Sequence, residues 1–142
     1  MTPTEKIELQ AVINDIPVLQ GCQGPIERLG GLTNRVYRVG SHVLRIPGKG
    51  TEEYINRANE AASAKIASSA KVSPEVLYAN ATTGIMVTAH VAAVTMTPEN
   101  FKTRLGAPAR AALAFHKLHT SGGVFPFRFE LFAMMDNYLK VL

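Results

Sequence analysis

Arg45 and Glu60 are the residues whose types and spacing first suggest chemistry in this chain. Arg45 lies in HVLRIPG, an alternating apolar run that reads as a strand. Glu60 lies in the Ala-, Glu- and Lys-rich segment that follows, which reads as a helix. A cation on a strand packed on both faces needs a partner, because an unpaired buried charge is strongly unfavourable. If the helix carries Glu60 against Arg45, the pair holds the guanidinium extended toward an anion such as a nucleotide phosphate. The plainer alternative makes Arg45 a strand-edge arginine and pairs Glu60 with Arg57 on its own helix surface.

Upstream, GGLTN supplies Gly30, Gly31, Thr33 and Asn34. A glycine turn there would present backbone N–H groups to phosphate oxygens, with the Asn34 amide as a further donor. The stretch matches neither G-x-x-x-x-G-K-[ST] nor G-x-G-x-x-G, so taken alone it reads as a hairpin turn. His116 and His119 share a helix face at i, i+3, but no third ligand stands near them in sequence, and no metal residue is assigned.

The elements that must position these groups follow from periodicity. Leu9, Val12, Ile13 and Ile16 predict a helix capped by Thr4 and ended by Pro17. From Ile26 to Ile46 the period becomes two, giving a short strand, the glycine turn, Val36 to Val39, a Gly40-Ser41 turn and His42 to Ile46. A long helix is expected from Glu52 to about Ala70, with Ile55, Ala58, Ala62 and Ile66 as its apolar stripe, and two further strands from Glu75 to Ala79 and Gly84 to Val91. Thr97-Pro98-Glu99 then starts a helix, a longer one should run from Pro108 to His119, and a last one begins near Phe129 or Glu130. Its pattern still runs at Leu142 without a stop signal, which predicts a chain cut from something longer.

At 142 residues the chain suits one domain, or one and part of another. No apolar run approaches the ~20 residues of a membrane span. The N-terminal MTPTEKIELQ lacks the apolar core of an export signal, and the single Cys22 excludes an internal disulfide; both suit a cytoplasmic location. A net charge of +4 would suit a polyanion, but the fifteen basic residues are scattered, so a phosphorylated small molecule fits as well as nucleic acid.

The order strand, glycine turn, strand, strand with a cation, helix with an acid, two strands, then helices is that of the small lobe of protein-kinase-like phosphotransferases. GGLTNRVYRV, HVLRIPG, EEYINRANEAASAKIA, VSPEVLYAN and GIMVTAHV, in that order, resemble the choline and ethanolamine kinase family, related to the aminoglycoside phosphotransferases. The resemblance covers about Gly24 to Leu142. It implies an α+β fold: residues 1–91 as a nucleotide-binding small lobe with an N-terminal helix, built on a five-stranded antiparallel sheet and one long helix, and residues 92–142 as the first helices of a large lobe. It implies transfer of the ATP γ-phosphate, with Mg²⁺, to the hydroxyl of a small amino alcohol such as choline or ethanolamine. Gly30, Gly31, Thr33 and Asn34 would then lie over the phosphates. Arg45 would stand where protein kinases carry lysine, Glu60 would be its helix partner, and Thr88, Ala89, His90 and Val91 would form the hinge that meets adenine. His119 matches a structural histidine of the family.

One departure is large. Such kinases need an Asp in an H-x-D segment followed by Asn, and another Asp for Mg²⁺. The only Asp residues here are Asp15 and Asp136, in neither setting. No catalytic residue is assigned, the metal ligands are expected downstream, and the chain alone is expected to be inactive. Phe115, Leu118, Phe132, Met135 and Leu139 would expose apolar faces that invite self-association. An aminoglycoside or sugar acceptor on the same fold, and a non-catalytic nucleotide- or RNA-binding module, are the alternatives.

Overall fold

The computed structural model describes residues 2–31, 33–53, 55–128 and 130–141. Helix α1 spans Pro3–Asp15 and is capped by Thr2, not Thr4. Thr2 Oγ1 accepts from the Glu5 N–H while Glu5 Oε2 accepts from the Thr2 N–H, a reciprocal box that Pro3 in the first turn leaves undisturbed. The two bonds outcompete any cap Thr4 could form alone.

Five strands form one antiparallel sheet: β1 (Ile26–Gly30), β2 (Asn34–Val39), β3 (His42–Pro47), β4 (Val76–Ala79) and β5 (Met86–Ala89). Their order across it is β1-β2-β3-β5-β4. Of the last two strands, expected over Glu75–Ala79 and Gly84–Val91, β4 starts one residue later and β5 is shorter at both ends. The sequence alternation is realised as two chemically distinct faces. Tyr37, Val39, Leu44, Ile46 and Val87 face Leu9, Ile13 and Ile16 and join Leu19 in the buried core. Tyr37, Leu44 and Val87 are completely buried, and full burial of each such side chain contributes roughly 1.5–3 kcal/mol.

The opposite face is set by the register. Val36 opposes Arg45, Arg45 opposes Met86, and Val43 opposes Thr88. Helix α2 brings Glu60 to Arg45, so it lies on this second side of the sheet.

The long helix expected from Glu52 to Ala70 is divided. A short 3-10 turn spans Thr51–Glu53, and α2 runs only over Arg57–Ser69. Asn56 is the reason: its Oδ1 accepts from the Asn59 N–H at 3.0 Å, starting the helix there. The buried stripe is displaced as well, to Arg57 and Ala61, while Ala58 is exposed and Ile55 precedes the helix.

Three more helices follow: α3 (Pro98–Thr103, capped by Thr97), α4 (Ala107–His119) and α5 (Leu131–Val141). The expectations that fell on Phe129 and Leu142 lie outside the described residues, as do Leu32 and Tyr54. No helix among the described residues is long and apolar enough to cross a membrane.

Candidate functional site

Arg45 and Glu60 meet: Arg45 Nη1 lies 2.8 Å from Glu60 Oε1. Arg57 meets Glu60 too, its Nη1 lying 3.1 Å from Glu60 Oε2. The two pairings that the sequence offers as alternatives therefore coexist, one on each carboxylate oxygen. Arg57 is no surface partner, since its side chain is only 8% exposed.

Two guanidinium groups against one carboxylate leave this cluster with a formal surplus of one positive charge. Arg45 also keeps two donors, Nε and Nη2, buried without a hydrogen-bond partner among the described residues. A guanidinium N–H without an acceptor is costly to bury, and an anion beside it relieves that cost. The cation thus has its position fixed by Glu60 and two donors left over.

The glycine turn is built by a bulge and a close approach. β1 pairs with β2 in register up to Arg28–Tyr37, then slips so that Gly30 opposes Val36. At Gly31, with φ at +111°, a Cβ would stand 2.0 Å from the Asn34 carbonyl oxygen. Only glycine can fold back this tightly. Asn34 is the first residue of β2 rather than part of a free turn, and it opposes Pro47. It shares a face with Arg45 as the diagonal neighbour, about 7–8 Å away across the strands. Its Oδ1 is buried and unpartnered among the described residues.

Gly31, Thr33 and Asn34 line a cavity of about 390 Å³ with Pro47, Gly48 and Lys49. Arg28 and Arg35 reach the same cavity, but each is tied to α1, Arg28 to Glu5 and Arg35 to Glu8, both at 3.3 Å. Arg45 is not among its lining, so the turn and the cation form adjoining parts of one sheet end rather than one enclosed pocket. Gly30, at φ +120°, lies at the bulge and lines no part of it.

The proposed hinge residues stand elsewhere on the sheet. Thr88 opposes Val43 and is Arg45's other diagonal neighbour on the same face. The Ala89 N–H is spent on Glu75 O and the His90 N–H on Ser41 O, both at 2.9 Å. Val91 lies just past β5, half exposed, at a separate cavity of about 660 Å³ that also holds Leu113 and Lys117 of α4. His116 and His119 are exposed on α4, and Asp15 and Asp136 are exposed on α1 and α5. No group of three or more His, Cys, Asp or Glu side chains gathers as a metal site among the described residues.

Sequence reasoning saw Arg57 only as a surface residue and missed Thr51 and Gly84. Thr51 is 3% exposed, and its hydroxyl donates to Gly48 O at 2.7 Å while contacting Arg57 Nη2. Gly84 makes room for the Arg57 stem: a Cβ there would meet Arg57 Cδ at 2.6 Å. The i, i+3 spacing of Arg57 and Glu60 was the visible signal; burial was not.

The α+β fold with its five-stranded antiparallel sheet matches the choline-kinase-like N-terminal lobe. No family model matches the chain, and no curated protein does. Among solved structures it is similar to a choline/ethanolamine kinase family protein from Mesorhizobium loti, at 62% identity over 96% of this chain and 46% of that one, with a TM-score of 0.84. It shares its fold with the choline kinase of Streptococcus pneumoniae, at 21% identity, TM-score 0.71, covering 99% of this chain and 49% of that one. A Plasmodium vivax ethanolamine kinase is more distant, at 17% identity and TM-score 0.56, with 95% of this chain and 35% of that one covered. These solved structures are a choline/ethanolamine kinase family protein, a choline kinase and an ethanolamine kinase, and the chain spans about half the length of the first two.

Proposed function

We propose that this chain forms the nucleotide-binding part of an ATP-dependent phosphotransferase that acts on the hydroxyl of a small amino alcohol such as choline or ethanolamine. The observation that carries the proposal is Arg45, held by Glu60 on one nitrogen while two further donors lie buried without acceptors among the described residues. A polyphosphate fits these donors: it supplies acceptors for them and offsets the cluster's surplus positive charge. The kinase relatives supply the context for choosing ATP over other polyphosphates.

In this reading Arg45 binds phosphate oxygens, Glu60 keeps its guanidinium extended, and Gly30, Gly31, Thr33 and Asn34 close over the phosphates from the end of β1 and β2. Val36 and Val43, on Arg45's face of the sheet, offer an apolar floor for a nucleobase. Along the Thr88–Val91 hinge, the donors of Ala89 and His90 are already occupied, so the Val91 N–H and the hinge carbonyls are the groups left to meet adenine. MgATP, when bound, supplies the phosphoryl group and the metal's charge neutralisation. The two lobes divide near Val91, with residues 92–142 opening the larger one.

No residue is assigned to acceptor activation: Asp15 lies on α1 and Asp136 on α5, and neither pairs with Arg45 or Arg57 among the described residues. The chain alone therefore binds nucleotide without transferring phosphate. The alternative of an aminoglycoside or sugar acceptor would use the same nucleotide site. An RNA-binding role is disfavoured by the pairing of Arg28 and Arg35 with acidic residues of α1.

Calorimetric titration of the protein with MgATP tests the proposal. Saturable binding that Arg45→Ala weakens by at least about tenfold is expected, since a charge-assisted hydrogen bond is worth roughly 1.5–3 kcal/mol. Equal MgATP affinity in the folded variant would overturn it.

A further inference from the structure

Arg57 has no part in the function proposed above, yet it is among the most deliberately housed side chains of the molecule. Only Arg57 and Thr51 are both polar and buried among the described residues, and they touch each other. Glycine at position 84, φ +71°, leaves the space its stem occupies; a side chain there would also meet Pro47 Cγ at 2.9 Å. A buried arginine needs acceptors, and Arg57 finds one for each terminal nitrogen, Glu60 Oε2 on Nη1 and Thr51 Oγ1 on Nη2.

These contacts close a circuit. From Arg45 on β3 it runs to Glu60, to Arg57, to Thr51, and through the Thr51 hydroxyl to the carbonyl of Gly48, just beyond the end of the same strand. Gly48 is in turn pressed against the glycine turn, since a Cβ on it would stand 1.9 Å from Thr33 O. The cation and the turn, the two parts assigned above to phosphate, are joined through one buried arginine.

We infer that Arg57 is a positioning residue of the phosphate site: by holding the second oxygen of Glu60 it fixes the carboxylate that aims Arg45, and through Thr51 it ties that aim to the glycine turn. A Glu60 bound only by Arg45 could rotate with it, and the guanidinium would lose its fixed direction. With both carboxylate oxygens engaged from different elements, α2 and β3, that freedom is removed before any ligand arrives. The inference rests on the reading of Arg45 as a phosphate ligand.

The test compares three probes on the protein: MgATP, tripolyphosphate with Mg²⁺, and adenosine. Arg57→Met keeps most of the stem against Gly84 and removes the charge, so it guards against simple misfolding, which circular dichroism and the melting temperature would report. Expected is a loss of about tenfold in affinity for MgATP and tripolyphosphate, with adenosine binding unchanged and partial recovery in Arg57→Lys. In an Arg45→Ala background Arg57→Met should have no further effect, because it acts through Arg45. If Arg45→Ala weakens MgATP binding and Arg57→Met does not, or if adenosine weakens equally, the inference fails while the nucleotide site stands. If Arg45→Ala itself leaves MgATP affinity unchanged, the underlying reading fails, and this inference with it.

Discussion

The carboxylate of Glu60 is shared by two cations, and that sharing makes the cost of losing each partner unequal. Removing Arg45 leaves Glu60 still bound to Arg57 and part-exposed, so Arg45→Ala should cost only about 1 kcal/mol of stability. Glu60→Ala instead leaves two guanidinium groups facing each other, one of them buried, and should cost about 3 kcal/mol or more. Urea denaturation of the two variants checks this; equal losses would mean that Glu60 does not bridge. Tyr37 supplies a second residue-scale test. It is completely buried, and its hydroxyl finds no partner among the described residues. Tyr37→Phe should therefore be neutral or stabilising by up to about 1 kcal/mol, and a clear drop in melting temperature would show that the hydroxyl is engaged. At this scale the sequence offered the Arg45–Glu60 pair as one of two alternatives, because a cation in an apolar strand has few partners within reach, and both pairings are present. It did not carry Arg57, because one hydrophobicity scale cannot distinguish a buried arginine with matched donors from a solvated one.

Among the elements, strands were more legible than helix boundaries. The alternation of Val36 to Val39 and His42 to Ile46 predicts both faces of the sheet, and the core residues Tyr37, Val39, Leu44 and Ile46 fall on one of them. Boundaries failed where a side chain competed with propensity: Asn56 started α2 five residues later than its Ala- and Lys-rich composition suggests, and Thr2 displaced Thr4. Asn56→Ala should thus cost about 1 kcal/mol, and its effect on nucleotide affinity should exceed that of Thr2→Ala, since α2 carries Glu60. The glycine turn gives a sharper case. Gly31→Ala sets a methyl group 2.0 Å from the Asn34 carbonyl, at a backbone angle that L-residues rarely adopt. The turn must open, yet it lies at the sheet's end, outside the core shared by α1 and β2. MgATP affinity should fall about tenfold or more while the melting temperature moves by only a few degrees. A variant that binds as tightly as the original would remove the turn from the site.

For the molecule as a whole, burial is distributed unevenly. The core is concentrated between α1 and the sheet, whereas α4 and α5 leave Leu113, Phe115, Leu131, Phe132, Met135, Tyr138 and Leu139 between 47% and 79% exposed. Apolar patches of this extent are uncommon on a free surface and usually meet another surface. The helical spacing of these residues made the pattern readable from the sequence, but what covers it was not, since periodicity reports a face and not its partner. In a preparation of these 142 residues alone, the nearest available cover is a second copy. Sedimentation velocity should therefore show mass rising with concentration. Phe132→Glu with Leu139→Glu, both at exposed positions away from the sheet, should return the monomer without lowering MgATP affinity. A concentration-independent monomer in the unmodified chain would contradict this. Association that persists in the double variant would place the contact elsewhere, with the exposed edges of the sheet, β1 and β4, the next surfaces to probe.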